Sequence, residues 1–411
     1  DVNKGGNNVV LFDFIGHGKN RNLLINAPNQ LSGTTQQLVD QLESVIENIL
    51  IRYGPNVEIS LIGHSMASDI VIRAAKNKNV TSVIAISPYS TAITETFPRD
   101  LLLISGQFET HLRTASLEHM KNIEIDATEN RAIINGDFRR KASSIKNAGH
   151  VSVLYAPQTS RQINEWLGLE TSSRSILKSH ILWIALSAIL LLRFISRLIP
   201  NTFEPPPTQR ARYLTLLFIM FSACLYSVPS AFLQINFLPV YGFTQLALFF
   251  GLYALHIALF CKWLRLDLNW KLDFKKLCLI IAFFIGIVLF VNEFIGSFNL
   301  TGYRIWVFFF LLLPVTFFCI YSEQIIQLSR PSLAFFLRLT PLVGIISLLV
   351  VYPQNLILMF TTIPIYIFYF TVFGYVGKFF SRHSDPLIVG LSHGAFLSYS
   401  FAATNPLFAL P

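Results

Sequence analysis

The chain has 411 residues, of which 53% are apolar and only 13% charged, about half the charged share of an ordinary soluble domain. That composition excludes a disordered chain, a collagen and a disulfide-stapled miniprotein. Residues 1–170 carry 16 Lys+Arg and 17 Asp+Glu, whereas residues 171–411 carry 16 and 6, so the net charge of +9 belongs to the second half. A basic excess on an apolar segment marks membrane-flanking loops rather than a nucleic-acid surface.

In chain order, residues 8–14 form a short apolar run that reads as a strand. It ends at the turn Gly16-His17-Gly18. Leu38, Leu42, Val45, Ile46, Ile49 and Leu50 recur at helical spacing within residues 33–53. A strand is predicted at 57–62 and a helix at 66–77, with Ile70, Val71 and Ala74 on one face. Strands follow at 80–86 and 101–105, then a helix at 111–120, and a last helix begins at 161–167. Strands alternating with helices predict an α/β class with a mostly parallel sheet. The chain shows no internal repeat and no low-complexity tract.

Gly63-His64-Ser65-Met66-Ala67 lies between a buried strand (Ile59, Leu61, Ile62) and a helix. A nucleophile elbow requires that setting, because the turn is tight and its flanks admit only small side chains. Gly63 fits, and Ala67 stands where the common pattern has glycine. Ser65 is then the candidate nucleophile, and the Met66 N–H the candidate oxyanion donor at a helix N-terminus. A nucleophilic serine needs a base, and the base needs an orienting carboxylate, in the chain order Ser, acid, His on such sheets. His150, in Asn147-Ala148-Gly149-His150, is the candidate base. Glu109, four residues past Ser105, is the candidate acid, with Asp126 and Asp137 as competitors.

Residues 7–168 resemble the α/β-hydrolase fold, entered part-way. Asp13-Phe14-Ile15-Gly16-His17-Gly18 is similar to the D-x-x-G-H-G turn after the family's fourth strand. Gly63 to Ala67 matches the elbow, and Gly106 to Glu109 resembles the acid turn. Gly149-His150 followed by Glu165-Trp166-Leu167 resembles the G-H…W-L ending. The resemblance implies serine-hydrolase chemistry on esters, thioesters or amides, through Ser65, Glu109 and His150. Two departures stand out. The early strands and the His-Gly loop that supplies the second oxyanion N–H are missing before Asp13. Only residues 88–100 separate Ser87 from Leu101, too few for a helical cap.

From Ser175 onward apolar runs near 20 residues recur, the length a helix needs to cross a bilayer. About eight are expected, at 177–198, 212–230, 241–261, 276–297, 303–321, 332–352, 355–377 and 386–409. They predict an all-α transmembrane bundle over residues 171–411, after an α/β domain over 1–170. Trp183, Tyr241, Trp263 and Tyr303 stand at run ends, where membrane interfaces favour aromatics. Basic residues concentrate in the odd loops, among them Arg193, Arg210, Lys262, Arg265, Lys271, Lys275, Arg330, Lys378 and Arg382. By the positive-inside rule those loops face the cytoplasm, which puts the α/β domain on the outer side. Because Asp1 is not Met, the expectation is a fragment or processed form with its export signal upstream.

Cys224, Cys261, Cys278 and Cys319 lie in or beside the spans and read as small packing residues. His64 reads as a structural neighbour of the elbow. His17, His111 and His119 lack a ligand spacing, so neither metal nor cofactor is expected. Arg338, His256, Glu293, Asp385 and His393 are costly in lipid. Glu293 and Arg304 are expected to pair, Arg338 to snorkel to the interface, and His393 to pack or to line a substrate path. The leading expectation is a membrane-anchored serine hydrolase, with membrane lipids and an acyl substrate as partners. The alternatives are an acyltransferase on the same residues, or an inactive hydrolase-like domain on a transporter or scaffold.

Overall fold

The computed structural model describes residues 7–25, 31–169, 213–233, 235–266, 298–329, 331–367 and 386–410, with isolated residues between 183 and 194 and between 268 and 289. They fall into two compact units, divided at Phe12/Asp13, Asn26/Ala27 and Trp183/Ile184.

The first unit holds a five-stranded sheet in the order β1-β2-β3-β5-β4. Its strands are β1 (Ile59–His64), β2 (Val80–Ile86), β3 (Asp100–Gly106), β4 (Ala132–Asn135) and β5 (Phe138–Ile145). β1, β2, β3 and β5 run parallel, and β4 joins β5 antiparallel. The central strands are continuous apolar runs because they are covered on both faces; Ile84, Leu102 and Ile104 are fully buried. On one face Ile84, Ile86, Leu102, Ile104 and Ile145 pack against Val153, Ile163 and Trp166. The helices are α1 (Gln36–Tyr53), α2 (Met66–Ala74), α3 (Thr110–Lys121) and α4 (Pro157–Trp166). α1 buries Leu38, Val39, Leu42 and Ile46 from its apolar stripe.

Two local expectations change. Residues 8–14 form no regular strand. β4 and β5 escape the periodicity reading because Phe138–Ile145 is rich in charge. Arg140 on β5 is nonetheless buried: it donates to the Pro98 and Thr94 carbonyls at 2.8 and 2.7 Å, and its guanidinium lies 4.7 Å from the Phe138 ring centroid. Those bonds pin the short connection between β2 and β3, which carries no helix. Burial lowers the Arg140 pKa to about 10. Arg139 ties Asp100 to Trp166: it bonds Asp100 at 2.8 Å and stacks on the indole ring at 3.9 Å.

The second unit is helical: α5 (Tyr213–Ala231), α6 (Phe243–Trp263), α7 (Tyr303–Gln327), α8 (Pro331–Val351) and α9 (Pro386–Thr404). Among the described residues, four helices, α6 to α9, are long and apolar enough to cross a membrane; the apolar part of α5, Leu217–Ala231, is shorter. The run expected at 355–377 begins as the short helix Pro353–Leu356 and a 3₁₀ turn, Ile357–Thr361. Most of the expected spans 177–198 and 276–297 lies outside the described residues, as do Glu293 and Asp385.

Residues 13–25 belong to this second unit. The Gly16 carbonyl accepts from the Leu407 N–H at 2.9 Å and from Arg304 Nη2 at 3.0 Å. Leu24 N–H donates to the Leu407 carbonyl at 3.0 Å. Arg304 Nη1 also donates to the Ala402 and Asn405 carbonyls at 2.8 and 2.6 Å. Arg304 thus holds three backbone carbonyls through Nη1 and Nη2, while Glu293, its expected partner, lies outside the described residues. Arg338 does not snorkel; it turns inward and meets Glu323 at 2.6 Å.

Candidate functional site

In a parallel sheet all strand C-termini point the same way, and the loops that leave them converge along one edge. Ser65 leaves β1, Ser87 leaves β2, Glu109 leaves β3 and His150 leaves β5. Residues far apart in sequence therefore meet at that edge.

Ser65 adopts φ 56° and ψ −124°, a region that costs a non-glycine residue about 1–3 kcal/mol. The turn is held by the Ser65 N–H donating to the Ile86 carbonyl at 2.9 Å. The Ser65 carbonyl accepts the Ser68 N–H at 2.9 Å and the Ser68 hydroxyl at 2.5 Å. A Cβ on Gly63 would lie 2.3 Å from the Ala67 carbonyl oxygen, so no larger residue fits there. Met66 is the first residue of α2, where N–H groups have no intrahelical partner.

Glu109 is nearly buried, and both of its oxygens are engaged. Oε2 accepts the Ser87 hydroxyl at 2.8 Å and the Gly106 N–H at 2.6 Å. Oε1 faces His150 Nδ1 at 2.6 Å. A carboxylate there makes Nδ1 the protonated nitrogen of neutral His150, which leaves Nε2 as an acceptor. Nε2 meets the Ser65 hydroxyl at 2.9 Å. The chain Glu109–His150–Ser65 is therefore continuous. It can remove the serine proton as Oγ bonds to an electrophile, and keep the resulting imidazolium beside a fixed carboxylate.

The loop that carries His150 is placed by Gly106. A Cβ there would come within 2.5 Å of the Ala148 carbonyl oxygen. Without it, the Phe108 N–H donates to that carbonyl at 3.0 Å. The Asn147 N–H donates to Gln107 Oε1 at 2.8 Å, and the Gly149 N–H to Ser152 Oγ at 2.8 Å. His64 adds a further tie, with Nε2–H donating to the His150 carbonyl at 2.8 Å. Its pKa is lowered, first by burial and then by the neighbouring His150, against which the hydrogen bond acts.

All four residues singled out in the sequence, Ser65, Met66, Glu109 and His150, come together at this edge. Asp126 and Asp137 do not: both are exposed, and Nδ1 of His150 is taken by Glu109. Sequence reasoning missed Ser87, the hydroxyl that holds the far side of the carboxylate. The available signal was a polar residue at the end of a buried parallel strand. Among the described residues, no group of three His, Cys, Asp or Glu side chains is placed to hold a metal ion.

Met66, Tyr89, Phe108, Val151 and Tyr155, all one to five residues from these polar groups, are exposed apolar side chains. They stand on the segments that leave the C-terminal ends of β1, β2, β3 and β5. Comparison with known proteins finds no matching family model, no matching curated protein and no matching solved structure.

Proposed function

We propose that this chain is a membrane-anchored serine hydrolase of α/β-hydrolase type that cleaves esters or thioesters carrying an apolar acyl group. The observation that carries the reading is the unbroken contact from Glu109 through His150 to Ser65, on a strained turn between a strand and a helix. Ser65 Oγ attacks the acyl carbonyl carbon and His150 Nε2 takes its proton. The Met66 N–H, at the positive end of α2, faces the developing oxyanion. The protonated His150 then gives its proton to the departing alkoxide or thiolate, which leaves Ser65 acylated. Water repeats the sequence: His150 takes a proton from it, the acid is released, and Ser65 regains its proton.

The exposed Met66, Tyr89, Phe108, Val151 and Tyr155, on the same segments as the polar groups, support an acyl chain as the substrate part held outside the polar centre. Helices of bilayer length in the same chain favour substrates at an interface by effective concentration. Basic residues in the odd loops, Lys262 and Arg265 among them, support an outward-facing hydrolase.

The test is a series of p-nitrophenyl esters of increasing chain length, given to the full chain in nanodiscs. The proposal expects turnover that rises beyond acetate and is lost in Ser65→Ala. No turnover of any ester, or equal turnover in Ser65→Ala, overturns the serine-hydrolase reading. Activity that peaks at acetate and falls steadily overturns the apolar substrate alone.

A further inference from the structure

α7 and α9 pack closely because α9 presents glycines at i and i+4. A Cβ on Gly390 would lie 2.4 Å from Ile320 Cα, and one on Gly394 2.4 Å from Thr316 Cα. Small residues at that spacing let apolar helices approach to backbone contact. His393 lies between these glycines and is delivered against α7. Its Nδ1 stands 3.7 Å from Oε1 of Glu323. The same oxygen receives Arg338 Nη1 of α8 at 2.6 Å. The Tyr366 hydroxyl donates to the Arg338 carbonyl at 2.9 Å. Glu323 itself was not singled out in the sequence, because the span was expected to end at 321, whereas α7 continues to Gln327.

These residues line a cavity of about 30 Å³, room for one or two waters. Glu323 is only 2% exposed, and its Oε2 has no hydrogen-bond partner among the described residues. The Ser322 hydroxyl, also on the cavity wall, is likewise unpartnered among them. The titratable groups on the wall are Glu323 and Cys319 from α7, Arg338 from α8, His393 from α9, and Tyr366. Such a pair is a poor device for stability, since well-packed apolar residues of equal volume serve as well or better. In a bilayer, ionisable groups that face the bundle interior mark function.

We propose that Glu323 is a proton-exchange site inside the helical unit, reached through water held in this cavity and flanked by Arg338 and His393. A hydronium ion gives its proton to Glu323 Oε2, leaving water and a neutral carboxyl group. The charge attraction that holds Arg338 is then lost, and return of the proton to water restores it. This site is independent of Ser65 chemistry and gives the helices a role beyond anchoring.

The experiment is infrared difference spectroscopy of the full chain in phosphatidylcholine nanodiscs, titrated with acid in H₂O and in D₂O. The exposed carboxylates titrate as well, so the readout is the parent spectrum minus that of Glu323→Gln. That difference should hold a protonated-carboxyl band that grows as pH falls and shifts in D₂O, and it should disappear when Glu323→Asp replaces Glu323→Gln. No such band in the difference at any pH, or one of the same size at every pH, overturns the proposal. Should Glu323→Gln not fold, dicyclohexylcarbodiimide decides on the parent protein, because it adds to protonated carboxyl groups in apolar surroundings. Mass spectrometry should find the adduct on Glu323, formed faster at acid pH. No adduct at any pH, or one formed equally at every pH, overturns the proposal.

Discussion

Glu109 Oε1 and His150 Nδ1 stand 2.6 Å apart although 41 residues separate them in the chain. The parallel pairing of β3 with β5 brings their C-terminal ends side by side. The second carboxylate oxygen, held by Ser87 and Gly106, stops the group from rotating away.

That relationship makes Glu109→Gln informative. The amide keeps the shape but removes the charge that stabilises the imidazolium, and it can impose the wrong tautomer. A loss of about 10⁴ in kcat is expected for such a change in a serine triad. Steady-state kinetics with a p-nitrophenyl ester should show the loss in kcat with the melting temperature nearly unchanged.

Ser87→Ala should act more gently. It removes one of the two donors to Glu109 Oε2 and leaves the Gly106 N–H. A hydrogen bond to a charged group contributes about 1.5–3 kcal/mol, so kcat should fall by roughly ten- to a hundredfold. KM should stay constant, because Ser87 is a positioning residue for the acid and does not touch substrate.

Gly106→Val tests the close approach of β3 to the loop that carries His150. Its Cβ would overlap the Ala148 carbonyl, and overpacking of this kind costs about 1–3 kcal/mol. Thermal unfolding should show a lowered midpoint, and activity should fall further than the midpoint explains, because His150 is displaced.

Much of this edge is legible in the sequence, for physical reasons. A small-residue turn between a buried strand and a helix constrains Ser65 locally, and the turns at Gly106 and Gly149 announce Glu109 and His150. What stays hidden depends on partners remote in sequence. β5 reads as a charged segment because nothing local says that Arg140 will find the Thr94 and Pro98 carbonyls. Residues 8–14 look like a strand but form no regular strand among the described residues. Arg338 looks able to snorkel until Glu323 is found opposite it.

Acid should destabilise the first unit through its histidines. His64 and His119 both have pKa values lowered below 6.5, in each case chiefly by burial. The unfolded chain then binds protons that the folded chain refuses, so this stabilisation is complete above 6.5 and is lost as pH falls toward the folded values. The melting midpoint of the full chain should drop with pH below 6.5, and His64→Asn with His119→Asn should flatten that slope.

The central claim is that Ser65 is an activated nucleophile, and fluorophosphonate labelling of the full chain in nanodiscs tests it most directly. Ser65 Oγ would bond to phosphorus, fluoride would leave, and the proton would pass to His150. Mass spectrometry should place the adduct on Ser65, and labelling should vanish in Ser65→Ala and fall sharply in His150→Ala. Labelling that persists unchanged in Ser65→Ala, or a parent protein that takes no label, would contradict the account.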